Sequence, residues 1–239
     1  MFKLEGKSMT ELLAMADHDP EAQFQLGLNY ANGDGVKQDW EKCVEWSRKA
    51  AVQGHAAAQF NLACCYDLGK GVPQDTVRAA EWYRKSAEQG FVLAQRNLAC
   101  CYEQALGVPK DDAQAAEWRR RAAEQGDAES QLVLGYHYLR GEGVPKDEAQ
   151  AAVWLRKSAE QGNAEAQYAL FLIYSAGKGV PKDIAEATKW CVKSAAQGYK
   201  MAKERIRKIQ PKMLDMIERG EDGVRALLDA AEQIQKDGG

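Results

Sequence analysis

Among the residues of this sequence, the six cysteines allow the widest range of chemistry, because thiols can form disulfides, bind soft metals or stay free. Two adjacent pairs lie 36 residues apart, and a histidine follows at the same step, so that Cys65, Cys101 and His137 form a series. Thiolates and imidazoles are the ligands that zinc prefers. The choice among these outcomes depends on the elements that position the residues. The cysteines are Cys43, Cys64, Cys65, Cys100, Cys101 and Cys191.

Basic runs and glycine-rich loops are two further features that suggest a ligand. The run Arg119-Arg120-Arg121 follows a tryptophan, but Glu117 precedes Arg121 by four residues, the spacing of an ordinary ion pair on a helix. The net charge of −3 gives no bulk attraction to nucleic acid or to an anionic membrane. The Gly-x-Gly loops follow helical patterns and precede an aspartate, which would repel phosphate. We therefore predict no nucleic-acid, nucleotide or membrane partner.

One 36-residue period positions all of these residues. A Gln-Gly pair, a tryptophan, a leucine and a tyrosine each recur at this step through five units. Chance does not keep one period in four independent columns, so the sequence predicts a helical-repeat protein. The columns are Gln53-Gly54, Gln89-Gly90, Gln125-Gly126, Gln161-Gly162 and Gln197-Gly198; Trp46, Trp82, Trp118, Trp154 and Trp190; Leu26, Leu62, Leu98, Leu134 and Leu170; Tyr30, Tyr66, Tyr102, Tyr138 and Tyr174.

Each unit contains two helical patterns separated by a short loop. In the fourth unit, apolar spacing predicts helix A from Ala128 to Leu139, and Asp147 is placed to cap helix B. Gly162 follows helix B, where a left-handed residue is favoured. The third unit has Ala105 where the others have the first loop glycine. Because a left-handed alanine costs about 1 kcal/mol, we expect this loop to differ.

The period also constrains the cysteines. Equivalent positions on stacked helices are separated by about 8–10 Å, whereas a disulfide needs Cα atoms within about 7 Å. Bridges from Cys64 to Cys100 or from Cys65 to Cys101 are therefore not expected, although offset pairs stay open. Three ligands in such a row cannot converge on one ion, so we predict free thiols and no metal site.

Stacking is needed because a single helix pair cannot bury its own apolar face, and the terminal units should then be atypical. Residues 1–18 are predicted to form an N-terminal capping half-repeat, residues 19–198 the five repeats, and residues 199–239 C-terminal capping helices. No interior linker interrupts the period, so we predict a single domain, residues 1–239, and a monomer. The C-terminal part carries a helical stripe of Val224, Leu227, Leu228, Ala231 and Ile234.

Composition is ordinary for a folded protein, since 45% of the 239 residues are apolar and 28% are charged. No window holds about 18 consecutive apolar residues, so no membrane span is predicted. The first residues lack the apolar core and cleavage site of a secretory signal. That favours the cytoplasm, or the periplasm or exterior if a leader has been removed.

The last repeats resemble a known family. The string Ala-Glu-Ala-Gln-Tyr-Ala-Leu at 164–170 is followed by Gly177-Lys-Gly179-Val180, Asp183, Ala187, Trp190, Ala195 and Gln197-Gly198, and this pattern resembles the Sel-one-like repeat, a relative of the tetratricopeptide repeat. The resemblance covers about residues 19–210. It implies an all-α, right-handed α-α superhelix, a solenoid whose concave face is lined by A helices and binds partners. It also implies an adaptor or scaffold, as in many bacterial members, and no catalytic residues.

The candidate partner-binding residues lie on one arc of the A helices, which we call the variable arc. The recurrent positions cover the opposite arc and are predicted to be core, whereas the variable arc carries apolar and aromatic side chains beside amides. Such a strip suits an extended or helical peptide. Alternatively, these positions pack against the neighbouring A helix. The candidates are Phe24, Gln25, Leu28, Phe60, Asn61, Cys64, Arg96, Asn97, Cys100, Leu132, Tyr136, Arg140, Tyr168 and Leu172.

Our principal hypothesis is a non-enzymatic adaptor or scaffold that binds a protein or peptide and needs no cofactor. The three histidines His18, His55 and His137 are far apart, and residues several repeats apart do not meet. A second hypothesis is a β-lactam-binding or hydrolysing protein, as some cysteine-rich secreted relatives are described; those carry a regular cysteine pair in each repeat and a signal peptide. A third is a thiol or metal sensor built on the Cys-Cys pairs.

Overall fold

The computed structural model describes residues 7–209, and every regular element in that range is an α-helix. Five helix–loop–helix repeats follow a short first helix, which confirms the prediction of an all-α helical-repeat solenoid. The helices are α1 (Met9–Met15), α2 (Pro20–Asn32), α3 (Trp40–Val52), α4 (Ala56–Leu68), α5 (Thr76–Glu88), α6 (Val92–Gln104), α7 (Asp112–Glu124), α8 (Ala128–Arg140), α9 (Glu148–Glu160), α10 (Ala164–Ala176), α11 (Ile184–Ala196) and α12 (Lys200–Ile209).

The loop sequence explains where the helices begin and end. Asp147 accepts hydrogen bonds from the backbone N–H groups of Ala149 and Gln150 at the start of α9, as predicted. Equivalent aspartates cap the other B helices. Gly141 ends α8 with a φ of +74°, and Gly162 follows α9 with a φ of +94°. Both angles lie in the left-handed region, which glycine adopts without steric cost.

The third loop keeps the geometry of the others, so our expectation that it differs is wrong. Ala105 has a φ of +57°, and its N–H donates to the carbonyl of Cys101, as a glycine does at this position elsewhere. Packing explains why the strain is accepted. A Cβ on Gly107 would lie 1.9 Å from the carbonyl oxygen of Thr76, so the loop rests directly on the backbone of α5. This contact holds the loop in one conformation whatever residue stands at its start.

The chain forms two compact units, Met1–Ala122 and Ala123–Gly239. The core of the first unit is built from the recurrent leucines and alanines of its A helices. Leu62 and Leu98 have no exposed surface, and neither have Ala58 and Ala63. Small side chains beside the leucines allow neighbouring helices to approach closely. The recurrent arc is therefore core, as the repeat pattern predicts.

The second unit repeats this arrangement. Leu134 and Leu170 are fully buried, and Trp154 and Trp190 are at least nine-tenths buried. Gly135 lies so close to Leu155 that a Cβ on it would stand 2.6 Å from the leucine side chain. The backbone of α8 at Gly135 therefore lies directly against the Leu155 side chain of α9, and only glycine leaves room for this contact.

A buried glutamine on the A helix connects successive repeats in each unit. The Nε2 of Gln89 donates to the Oε1 of Gln59 at 2.7 Å, and the Nε2 of Gln59 donates to the carbonyl of Ala51 at 3.1 Å. In the second unit Gln131 accepts from Gln161 at 2.7 Å and donates to the carbonyl of Ala123 at 3.0 Å. An unpaired buried amide would cost about 1–3 kcal/mol, so each relay stabilises the stacking of one repeat on the next. The recurrent glutamines are structural residues.

The two ends differ in how far the structure describes them. Leu12 of α1 and Ala16, which directly follows α1, pack on Ala22 and Leu26 of α2, and Ser8 and Glu11 form a capping box, so the N-terminal segment covers the first repeat. The predicted stripe from Val224 to Ile234 lies outside the described residues. The prediction of one domain over residues 1–239 stays a prediction. None of the helices between residues 7 and 209 is long and apolar enough to cross a membrane.

Candidate partner-binding face

The fourteen residues of the variable arc occur at three levels of exposure. Phe24 and Leu132 are buried in the cores of their units, whereas Arg140 and Leu172 are exposed. The other ten are half-buried. Half-buried side chains can contact both their own protein and a ligand, so the arc has the mixed character of a binding surface. Its role in binding stays a prediction.

The first position of the arc packs against the start of the next A helix in the first unit. The ring of Phe24 lies 4.9 Å from that of His55, and the ring of Phe60 lies 5.2 Å from that of Phe91. Both pairs are tilted, a favourable arrangement for aromatic rings. The packing alternative therefore describes this position, and a partner would have to contact side chains further along the helix.

A crevice of about 210 Å³ lies between α2, α3 and α4, and we call it the α2–α4 crevice. It contains Leu28, Asn61 and Cys64, which are three of the predicted residues. Its wall combines apolar carbon, an amide and thiols, which matches the composition of small recognition pockets. The lining residues are Leu28, Ala31, Asn32, Trp40, Cys43, Asn61, Cys64, Cys65, Leu68 and Lys70.

A buried tyrosine holds the thiol beside this crevice. The hydroxyl of Tyr83 donates to the Sγ of Cys64 at 3.4 Å and contacts the Oδ2 of Asp67 at 3.3 Å, and Asn97 also hydrogen-bonds to it. Burial raises the pKa of Tyr83 and the pKa of the Cys64 thiol. Both groups are therefore protonated at neutral pH. Cys64 offers a polarisable contact surface and is a poor nucleophile.

The equivalent position in the next repeat carries a buried ion pair. The guanidinium of Arg119 donates to both carboxylate oxygens of Glu103, at 2.9 and 2.8 Å, and to the Sγ of Cys100 at 3.0 Å. Burial by itself would lower the pKa of Arg119, but the hydrogen bond to Glu103 and the nearby Cys100 outweigh it, and the pKa is raised. Arg119 is thus a fixed cation that orients Cys100 on the variable arc.

The second unit shows a different set of side chains on the same arc. The hydroxyl of Tyr136 donates to Glu165 at 3.0 Å, and the guanidinium of Arg140 lies 5.4 Å from the Tyr136 ring centroid. Burial raises the pKa of Tyr136, so it stays a neutral donor. The ring of Tyr168 lies 5.6 Å from that of Tyr199. The two units therefore present different chemistry from equivalent positions.

Seven of the ten residues that line the α2–α4 crevice are absent from the sequence-based set, and Trp40 and Lys70 are two of them. Trp40 is half-buried in the crevice wall, and the ammonium of Lys70 lies 4.4 Å from its ring centroid. Trp40 stands outside the tryptophan column, in the first turn of a B helix. That departure from the repeat was the available signal, because residues that break the period are free of the scaffold's requirements.

The basic residues that follow the tryptophans are engaged within the protein. The predicted pair Glu117–Arg121 forms at 3.0 Å and the equivalent pair Glu45–Lys49 at 2.8 Å, and the ammonium of Lys49 also lies 4.1 Å from the ring centroid of Trp46. A cation–π contact of 4.0 to 4.5 Å recurs at each of the other four tryptophans. The five tryptophans of the column therefore hold basic side chains of their own helices.

The arginines one position earlier connect repeats. Arg48 donates to the hydroxyl of Tyr66 at 2.9 Å, and Arg84 donates to that of Tyr102 at 2.7 Å. Arg156 and Tyr174 form the same contact in the second unit. Since these guanidinium groups already have phenol partners, they are not arranged as a strip of free cations along a helix, which is what a phosphate backbone requires.

No cluster of three or more His, Cys, Asp or Glu side chains in residues 7–209 is placed to hold a metal ion. All six cysteines are free; Cys64 and Cys100 are half-buried and the other four are buried. The thiols of Cys64 and Cys100 therefore contribute to the candidate face as free side chains.

Comparison with known proteins places this geometry in context. The Sel1 repeat family model matches residues 20–55, 56–91, 92–127, 128–163 and 164–199. The fold is similar to that of a Sel1 repeat protein from Oxalobacter formigenes, with a TM-score of 0.78 and 36% identity over 94% of this chain and 92% of that one. No match is found among curated proteins.

A second solved structure is similar at comparable identity. It is c5321, described as a protective antigen of uropathogenic Escherichia coli with an SLR fold, and it matches with a TM-score of 0.82 and 33% identity over 95% of this chain. The match covers 49% of that protein, so this chain spans about half of its length.

Proposed function

This chain belongs to the Sel1 repeat family, whose members generally mediate protein–protein interactions, and from that premise we propose that it is a non-catalytic adaptor that binds a partner segment along its variable arc. The α2–α4 crevice is the observation that carries the proposal. Its volume of about 210 Å³ corresponds to roughly seven waters. That is the scale of one apolar anchor side chain inserted from a bound peptide.

The lining of the crevice suits such an anchor. Leu28 and Leu68 supply apolar surface, and Leu68 is 63% exposed, so its contact with water would be removed by a partner. Asn61 lies beside them and can hydrogen-bond to the backbone of a bound segment. Desolvation of apolar surface around a satisfied polar contact is the usual source of binding energy at the centre of an interface.

The second unit offers a further contact on the same arc. Leu172 is 49% exposed on α10. The repeat does not require a leucine there, since the residue at this position changes from one repeat to the next. The exposed surface of Leu172 would give the second unit an apolar contact of its own with a partner.

The experiment uses matched leucine and valine positions. The full chain captures its partner by affinity purification, the partner is identified by mass spectrometry, and the affinity of the purified pair is measured by calorimetry. Leu68→Glu on α4 is compared with Val77→Glu on the B helix α5, which is 54% exposed. Leu172→Glu on α10 is compared with Val153→Glu on α9, at 49% and 48% exposure.

Charge on the arc should weaken binding by about 10-fold or more, which corresponds to about 1.4 kcal/mol, whereas the B-helix controls should bind like the original chain. Because all four side chains are exposed, folding should be unaffected, and circular dichroism checks this. Equal losses at α4 and α5 would refute the assignment to the A-helix face. Turnover of a substrate by the purified chain would refute the non-catalytic proposal.

A further inference from the structure

A pair of buried thiols bridges the first two repeats. Cys43 of α3 and Cys65 of α4 are 1% and 4% exposed, belong to the same core cluster, and both line the α2–α4 crevice. The sequence spacing sets Cys43 apart from the other cysteines, but the stacking of α4 on α3 brings it and Cys65 to one crevice. This is an offset pair between repeats, separated by 22 residues, and not a pair of equivalent positions.

The following repeat supplies its own comparison. Cys101 is equivalent to Cys65, and it is also buried, but the residue equivalent to Cys43 is Ala79. Cys191 in the second unit is 3% exposed, and its Sγ contacts the carbonyl of Ala202 at 3.9 Å. Among the described residues, only the first two repeats therefore carry cysteine at both of these positions.

The two thiols differ in acidity, which assigns them different parts in a reaction. The neighbouring Cys65 lowers the pKa of Cys43, and Ser47, whose Oγ lies 3.9 Å from the Sγ of Cys43, also lowers it. Cys43, together with burial, raises the pKa of Cys65. Cys43 is thus the sulfur that ionises first, and Cys65 retains its proton. Thiolate is the reactive form of a cysteine.

Small molecules can reach this pair although it is buried. Both cysteines line the α2–α4 crevice, which also includes the exposed residues Asn32, Leu68 and Lys70. A volume of about 210 Å³ admits a molecule of the size of hydrogen peroxide, because one water occupies about 30 Å³. A protein or a large reagent would be excluded. Access is therefore selective by size.

We propose that Cys43 and Cys65 form an oxidisable dithiol, which a small hydroperoxide converts into a disulfide that joins α3 to α4. The Cys43 thiolate attacks one peroxide oxygen, the O–O bond breaks, and Cys43 becomes a sulfenic acid as hydroxide leaves. The Cys65 sulfur then attacks the Cys43 sulfur, so that the S–S bond forms and the S–O bond breaks. The Cys65 proton ends on the departing oxygen as water. Two thiols lose two electrons, and hydrogen peroxide is reduced to two waters.

The disulfide would change the lining of the α2–α4 crevice. Two of its ten lining side chains would lose their thiol hydrogens and become covalently fixed to each other. It would also tie the B helix of one repeat to the A helix of the next. The inference rests on the thiol geometry and does not depend on the adaptor proposal, since oxidation is measured on the isolated chain.

The test treats the fully reduced full-length chain with hydrogen peroxide and counts free thiols by alkylation and intact mass. The count should fall from six to four, because one pair forms, and the mass before alkylation should drop by two hydrogens. Peptide mapping should find Cys43 linked to Cys65. Cys65→Ser should retain a sulfenic acid on Cys43 that dimedone labels, because the resolving sulfur is gone. Cys191→Ser should oxidise like the original chain.

A gain-of-function variant provides the control for position. Ala79 and Cys101 occupy the positions equivalent to Cys43 and Cys65 one repeat later. Ala79→Cys should therefore yield a second disulfide under the same treatment. A count that stays at six, a linked peptide between any other pair, or dimedone labelling of Cys64 instead of Cys43 would each overturn the proposal. So would a Cys43→Ser variant that still loses two thiols.

Discussion

Removing Glu103 from its ion pair with Arg119 should destabilise the first unit by about 3 kcal/mol. The Arg119 side chain is 4% exposed, and its Nη1 has no hydrogen-bond partner among the described residues. With Glu103→Leu, a cation would stay in the interior with the Cys100 thiol as its remaining contact. Losing one partner of a buried pair costs about 3–5 kcal/mol. Glu103 is 21% exposed, which places the expected cost at the lower end of that range.

The fourth repeat shows how the cost should be recovered. The positions equivalent to Glu103 and Arg119 are Leu139 and Leu155, and Leu155 has no exposed surface. The double variant Glu103→Leu with Arg119→Met places an apolar pair at these positions of the third repeat; methionine is used at 119 because Ala99 occupies the space that Gly135 leaves for Leu155. Apolar replacement of a buried ion pair is often neutral or stabilising. The double variant should therefore unfold within about 1 kcal/mol of the original chain.

The assay is equilibrium unfolding of the full chain in urea, followed by far-ultraviolet circular dichroism. Repeat proteins can open locally, so amide hydrogen exchange in α6 and α7 should report the loss where it occurs. Glu88→Leu, at an exposed position on α5, serves as the control for losing a carboxylate. A single variant that costs less than about 1 kcal/mol, or a double variant as unstable as the single one, would refute the reasoning.

Two further predictions concern backbone strain and alkaline pH. Ala105→Gly should stabilise the chain by about 0.5–1 kcal/mol, because relief of the left-handed alanine exceeds the entropy cost of glycine, and the urea midpoint should rise. Gly141→Ala should lower the urea midpoint for the same reason. A midpoint unchanged by both substitutions would contradict this prediction. Burial raises the pKa of Cys191 to about 11 from 9.0, so the folded chain should lose stability as pH rises from 9 towards 11, because the unfolded thiol ionises first. Urea midpoints of Cys191→Ser and the original chain should then converge over that range, and parallel curves would count against the shift.

The repeat columns could be predicted from the sequence because each has the same task in every unit. Gln59, Leu62 and Tyr66 have the same kinds of neighbours as the equivalent residues of the other repeats. The same residue type therefore recurs at the same spacing in the sequence. The caps follow for a similar reason, since an aspartate before a B helix and a glycine after it act within a few residues. Local chemistry of this kind does not need the rest of the fold.

The variable arc could be located but its contacts could not. Cys64 and Cys100 are equivalent in sequence, yet one accepts a hydrogen bond from Tyr83 and the other from Arg119. These partners lie 19 residues away on the next helix, and their identity changes from repeat to repeat. The expectation about the third loop failed for the same reason, because the constraint on Ala105 comes from the packing of Gly107 on Thr76.

The sequence by itself determined the number of repeats, the boundaries of their helices and the arc that packs into the core, because a period repeated five times records short-range geometry many times over. The tertiary structure alone decided which variable side chains meet. It buried Phe24 against His55, formed the α2–α4 crevice around Trp40, and brought Cys43 to Cys65. Those contacts depend on the offset between stacked helices, which a period specifies for equivalent residues and leaves open for residues that occur once.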